Sequence, residues 1–388
     1  MAIGVDSSTF RFMENKKLKV LTVVGTRPEI IRLSRVMSLL DDHVNHIIAH
    51  TGQNYDYELN EIFYQDLELR KPDFFLNVDV SSLEASVGDI IRKSGELLRQ
   101  EKPDALLVLG DTNSCLSAYM AKRLHIPIFH MEAGNRCFDF NVPEEINRRI
   151  IDHIADFNLV YTEHARRHLI SEGLPHRRIY LTGSPMNEVL NYYRPKIEKS
   201  NTLDTLQLTK GEYFIVSVHR EENIDNPNNL EKILLILNRL AGDYKLPVIV
   251  STHPRTRKRL EAVDYTEMNP LIQFLKPFGF TDYVRLQMNA LCTISDSGTI
   301  SEESAILNFP AISLRNSMER PEAQDFGSII LTGFNHDIVL NSLEVVIKEG
   351  RQQNIPIPHE YMVPNTSWRV LKLIQGLSGL TNKWDGIV

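Results

Sequence analysis

Cysteine is scarce in this chain: Cys115, Cys137 and Cys292 are all there are in 388 residues. Three scattered thiols exclude a disulfide framework and a metal-ligand spacing, and they fit a reducing cytoplasm. Long apolar runs are missing too. Nothing approaches the ~18 residues of a membrane span, and the N-terminus carries no signal-peptide core. An excess of positive charge is also absent, since the formal net charge is −7. That argues against general nucleic-acid affinity while leaving room for a local basic pocket.

What is present is ample core. Hydrophobic residues make up 42% and charged residues 24% of a chain too long for one ordinary domain, so two domains are expected. Residues 1–17 are polar and aperiodic and read as a flexible extension. Apolar strands are predicted at 18–24, 46–51, 105–109, 126–131, 157–161 and 178–182. Helical patterns follow them at 27–40, 55–66, 83–101, 113–124, 144–154 and 163–173. A second series of strands runs through 213–218, 247–251, 271–274, 291–295, 311–314 and 328–331. This rhythm predicts an α/β protein with two Rossmann-like domains, 18–192 and 210–362, each a mostly parallel sheet covered by helices. The polar stretch 191–212 is the expected crossing, and a last helix near 366–378 is expected to return, with the tail to 388, to the first domain.

The most informative segment is a strand-to-helix turn. After Leu291–Ile294 the chain reads Asp296-Ser297-Gly298-Thr299, then enters a helix containing Glu302 and Glu303. Gly298 allows a tight turn and close approach, and the helix start offers unpaired N–H groups to an anion. Glu303, one turn in, is placed to take the hydroxyls of a ribose. An ordinary βα loop with a Ser/Thr cap is the competing reading. Far upstream, Gly25-Thr26-Arg27-Pro28 follows a buried strand but lacks the later glycines of a dinucleotide fingerprint. Arg27 there can face an anion held by the other domain.

Other strand ends carry Gly110-Asp111-Thr112, His130-Met131-Glu132-Ala133-Gly134 and Pro143-Glu144-Glu145 with Asn147 and Arg148. The second half adds His219-Arg220 and Thr252-His253-Pro254-Arg255. Capping and helix-start chemistry explain Asp111, Glu144 and Glu145 just as well one at a time, and a strand-end His is often structural. Together, Asp111, Glu132 and Glu144 would share one cleft with Arg27, and three carboxylates beside an anion site call for acid/base work. His219 and Arg220 suit a diphosphate leaving group.

At these residues the chain resembles the non-hydrolysing UDP-N-acetylglucosamine 2-epimerase family, over about residues 18–375. The resemblance implies two Rossmann-like domains in a glycosyltransferase-B arrangement, a UDP-sugar between them, no cofactor or metal, and a homodimer. It assigns catalytic and substrate contacts to Arg27, Arg32, Asp111, Glu132, Glu144, Arg148 and His219; Arg220 and His253 join them as substrate-binding candidates from their place after strands. Phosphate and ribose contacts fall to Ser297, Gly298 and Glu303, and Tyr283 falls near the uracil. Arg32 stands where lysine is usual, Thr299 replaces a glycine, and Asn54–Tyr57 replaces a pair tied to an allosteric site. The segments Phe129–Phe138, Ser251–Leu260 and Ser295–Ser304 look most like the branch that makes UDP-N-acetyl-L-fucosamine from UDP-2-acetamido-2,6-dideoxy-L-talose. The other substrate the family implies is UDP-GlcNAc.

Overall fold

A computed structural model describes residues 17–52, 63–224, 226–252, 254–260, 268–349 and 355–387. His253 and the segment Asn54–Tyr57 lie outside the described residues. The first sheet contains β1 (Lys19–Val24), β2 (Asn45–His50), β3 (Phe74–Phe75), β4 (Ala105–Leu109), β5 (Ile128–Ala133), β6 (Phe157–Val160) and β7 (Ile179–Leu181). Their order is β3-β2-β1-β4-β5-β6-β7, and every pairing is parallel. The second sheet contains β8 (Phe214–Ser217), β9 (Val248–Ser251), β10 (Ile272–Leu275), β11 (Cys292–Ser295), β12 (Ala311–Ser313) and β13 (Ile330–Leu331). It repeats the pattern as β10-β9-β8-β11-β12-β13, again parallel. The expected α/β fold of two doubly wound sheets is therefore correct.

Strand residues Val20–Val24 and Ala105–Leu109 are buried along their length because helices cover both faces. The expected helix at 113–124 is instead a 3-10 turn, Asn113–Leu116, leading into a helix at Ser117–Arg123. The stretch 191–212 begins inside a longer helix, Met186–Lys199, whose Val189, Leu190 and Tyr193 are buried in the first core. The helix Thr366–Leu377 adds Val370, Leu371 and Ile374 to that core, and Phe280 and Val284 from the second half join it as well. Shared apolar packing thus fixes how the two sheets face each other.

In each sheet the strand order reverses at a switch point, β1/β4 and β8/β11, where open α/β sheets leave a crevice beyond the carboxyl ends. The loops after β1, β4, β8 and β11 hold Gly25–Thr26, Gly110–Thr112, Val218–Arg220 and Asp296–Thr299, and Arg27 opens the helix Arg27–His43.

Candidate active site

Two adjoining cavities occupy the crevice. One, of about 310 Å³, is charged and is lined by Arg32, Asp111, Glu132, Glu144, His219, Arg220, Ser297 and Gly298, among others. The other, of about 380 Å³, is largely apolar. Arg27, Tyr283, Ser297 and Glu303 line it beside Phe63, Pro277, Phe278 and Phe280. Arg32, His219, Ser297 and Thr299 belong to both walls. The pair of spaces has room for a charged group at one end and a flat ring at the other.

The carboxylates are held by cations. Asp111 Oδ2 accepts from Arg148 Nε at 2.8 Å and lies 2.6 Å from Arg148 Nη2. Arg148 is buried and lines neither cavity; it pins Asp111 from behind while also meeting Glu145 at 2.8 Å. Burial opposes its charge, yet Asp111 and Glu319 outweigh that and hold its pKa well above the usual guanidinium value. Glu132 is paired with Arg32 and, at 3.1 Å, with Arg320 of the second half. The negative charges of Asp111 and Glu132 are therefore offset by arginines. Asp111 is not a helix cap: Thr112 occupies that position, and Asn147 Nδ2 donates to the Asp111 carbonyl at 2.9 Å. Glu145 has the structural role, accepting from Arg149 Nη2 at 3.0 Å and from the Cys137 amide at 3.1 Å.

Glu132 reaches the cleft through its backbone. Its φ is +65°, and the β5–β6 register shifts between Met131 and Ala133. A non-glycine residue in this region costs about 1 kcal/mol or more and persists only where its surroundings enforce it. Gly134, at φ +80°, comes so near the helix Glu163–Ser171 that a Cβ would overlap the Ala165 carbonyl oxygen.

On the opposite wall, Asp296 organises the loop after β8. It accepts from the amides of His219 and Arg220 at 3.0 and 2.9 Å, and from Asn223 Nδ2 at 2.9 Å. His219 Nδ1 lies 3.3 Å from Asp296 Oδ1, and the ring remains 43% exposed, open to a ligand. Gly298 serves close approach only, without the left-handed turn: a Cβ there would meet Arg320 Nη1 at 3.0 Å and Glu319 Oε1 at 3.3 Å. Thr299 stands at the N-cap of the helix Ile300–Leu307 without capping it; its hydroxyl pairs with Ser297 Oγ at 2.9 Å. Glu303 accepts from Gln287 Nε2 at 2.8 Å, and burial raises its pKa.

Several site residues were not singled out from sequence. Glu29 is buried under the first loop, accepting from Gly25 N at 2.9 Å and Thr26 N at 2.7 Å and paired with Ser114. Glu319 sits among Arg315 at 2.6 Å, Arg220 at 3.2 Å and Arg148 at 3.6 Å. Arg320 also meets Glu302 at 3.2 Å, and Glu302 is bonded to Ser184 of the first half. The rule that polar groups after strand ends build sites, applied after β12, would have found Arg315, Glu319 and Arg320. Among the described residues, no group of three or more His, Cys, Asp or Glu is arranged to hold a metal ion, and no helix is long and apolar enough to cross a membrane.

Comparison with known proteins bears on the family and the fold. Residues 39–375 match the family model described as UDP-N-acetylglucosamine 2-epimerase. A Methanococcus maripaludis UDP-N-acetylglucosamine 2-epimerase is 37% identical over 87% of this chain and 94% of its own length. The structure of UDP-N-acetylglucosamine 2-epimerase from Rickettsia bellii superposes with a TM-score of 0.89 at 50% identity, covering 95% of this chain and 98% of that one. The Methanocaldococcus jannaschii UDP-GlcNAc 2-epimerase in complex with UDP-GlcNAc and UDP superposes with a TM-score of 0.86 at 32% identity, covering 92% and 99%.

Proposed function

The chain belongs to the UDP-N-acetylglucosamine 2-epimerase family and is a UDP-sugar 2-epimerase; from that premise we propose that it inverts C2 of UDP-2-acetamido-2,6-dideoxy-L-talose, giving UDP-N-acetyl-L-fucosamine for a surface polysaccharide. The observation that carries the chemistry is the meeting of Asp111, Glu132 and Glu144 in one charged cavity beside an apolar one. The three sequence segments that look most like this branch carry the choice of sugar.

The C2 proton of an acetamido sugar has no adjacent ketone, so its direct removal is very difficult. Breaking the C1–O bond to UDP while a base takes the C2 proton avoids a free carbanion and forms a 2-acetamidoglycal. Re-adding UDP at C1, with protonation of C2 from the other face, inverts C2 alone. Both steps balance, with UDP leaving and returning and one proton exchanged. Asp111, Glu132 and Glu144 supply proton transfer on the two faces. Arg27, Arg32, Arg220 and His219 stabilise the departing diphosphate, while Arg148 holds Asp111 in place. Ser297 and Gly298 take phosphate oxygens, Glu303 the ribose hydroxyls, and the Tyr283 side of the apolar cavity the uracil. His253 completes the phosphate side, and two chains form a homodimer. The cleft keeps glycal and UDP together between the half-reactions.

Incubation of candidate UDP-sugars in D₂O, followed by NMR at C2, tests this. Solvent deuterium at C2 with UDP retained supports elimination and re-addition. Absence of exchange with every UDP-2-acetamido sugar overturns it, and exchange confined to UDP-GlcNAc moves the substrate to that nucleotide.

A further inference from the structure

His130 and Asp152 are fully buried beneath the cleft, and neither lines the two cavities. His130 Nε2 lies 2.9 Å from the carbonyl oxygen of Gly110, the residue just before Asp111. A carbonyl can only accept, so that nitrogen carries a proton. His130 Nδ1 lies 3.0 Å from Asp152 Oδ1. Asp152 in turn accepts from the Gly134 amide at 3.2 Å and from Arg136 Nη1 at 2.7 Å, while Arg136 is anchored by Glu172 at 2.6 Å. Asp152 belongs to the helix Pro143–Ile154, which also carries Glu144 and Arg148. One imidazole–carboxylate pair therefore touches all three elements that bear the acids: the β4 end with Asp111, the β5 end with Glu132, and the helix with Glu144.

We propose that His130 and Asp152 are positioning residues that hold Asp111, Glu132 and Glu144 in register about one sugar carbon. The Glu132 backbone at φ +65° is flanked by this network, with His130 two residues before it and Gly134 two residues after. Without the pair, the backbone on both sides of that strained residue loses its contacts to Gly110 and Asp152, leaving Arg32 and Arg320 to hold the side chain alone. Burial works against the charge of Asp152, but His130 and Arg136 outweigh it and keep its pKa low, so Asp152 stays a carboxylate. Ångström-scale displacement of proton-transfer groups costs on the order of 100-fold in rate. The proposal rests on the reading of these three acids as the proton-transfer groups.

The test compares His130→Ala, His130→Gln, His130→Asn and Asp152→Asn with the wild-type enzyme. Gln keeps an N–H near the place of Nε2, toward Gly110, and Asn keeps one near Nδ1, toward Asp152. We expect kcat to fall about 30- to 300-fold in His130→Ala, with KM and the UDP dissociation constant within about threefold of wild type. Release of free glycal and UDP per turnover should rise, because re-protonation is mistimed. Gln and Asn should each restore part of kcat, which a role in stability alone does not give. Should the Ala variant fail to fold, Gln and Asn carry the comparison. Wild-type kcat and glycal partition in folded His130 variants overturn the proposal, as does a loss of UDP affinity equal to the loss of kcat. Asp111→Asn and Glu132→Gln are assayed alongside: if they turn over normally, the reading of the acids falls and this inference with it. If they are inactive while the His130 variants behave as wild type, only this inference falls.

Discussion

Arg320, from the second half of the chain, places Nη2 3.1 Å from Oε1 of Glu132, on the first. The contact spans the cleft, and Arg320 also donates to the Gly298 carbonyl at 3.0 Å, so the proposed anion-binding turn and a proposed proton-transfer acid share one guanidinium. Arg320→Met leaves Glu132 and Glu302 buried with less charge compensation, which should cost about 3–5 kcal/mol of stability. Thermal melts measure that directly. Turnover should drop as well, and the double variant with Glu132→Gln should lose less stability than the sum of the singles. Additive losses show that the two side chains do not act on each other.

His219 is the most exposed of the proposed catalytic side chains, and its own amide is held by Asp296 whatever the ring does. Replacing the ring by Ala should therefore spare the fold. It removes charge stabilisation at the leaving diphosphate worth about 2–4 kcal/mol, a fall in kcat of roughly 30- to 1,000-fold. Circular dichroism together with steady-state kinetics checks both halves. Near-wild-type kcat assigns His219 a structural role.

Asp111→Asn and Glu132→Gln should each cut turnover at least ~100-fold while UDP still binds. Slow appearance of UDP and glycal is the positive sign, because elimination then outlasts re-addition. If UDP binding disappears with activity, the acids organise the cleft through Arg148 and Arg320, and proton transfer belongs elsewhere.

The strands and the switch-point loops were legible because parallel strands buried on both faces read as short apolar runs ending in glycine or acid. Those local signals placed Asp111, Glu132 and Ser297 near a crevice. The Arg315–Arg320 loop was legible only as polar residues after a strand end: it has no apolar period and no glycine, and its role lies in partners at Gly298 and Glu132 that only the fold supplies. The same holds for His130, which reads as part of an ordinary strand until Gly110 and Asp152 stand at its two nitrogens. Gly298 was legible for a partly different reason, since close approach, and no left-handed turn, requires it.

Buried Glu303 gives a pH signature. Burial raises its pKa in the folded state, so the folded protein holds that proton more tightly than the unfolded chain. Its stabilising effect is full below the unfolded value of about 4.3 and fades as pH rises through the higher folded value. Glu303→Gln should therefore raise the melting temperature of the ligand-free protein near neutral pH. The gain should shrink as pH falls toward the unfolded value. The same change removes the proposed ribose contact and should weaken UDP about tenfold, a loss near 1.4 kcal/mol. Titration of UDP by calorimetry measures that loss; unchanged affinity removes Glu303 from the nucleotide site.

Substrate choice separates the proposed sugar from UDP-GlcNAc most sharply. UDP-GlcNAc carries a 6-hydroxyl on a D-configured ring, whereas the proposed substrate carries a 6-methyl group on an L-configured one. A pocket that lacks a partner for the hydroxyl discriminates by only about 10- to 200-fold. The inverted ring adds to this, because both faces of C2 must meet the acids and the placement of C6 changes with configuration. The 6-deoxy-L-talose nucleotide should therefore be epimerised efficiently and UDP-GlcNAc slowly or not at all. The two kcat/KM values, measured with one enzyme preparation under the same conditions, decide it. A clear preference for UDP-GlcNAc would falsify the choice of sugar while leaving elimination and re-addition intact, since both nucleotides require the same proton transfers at C2.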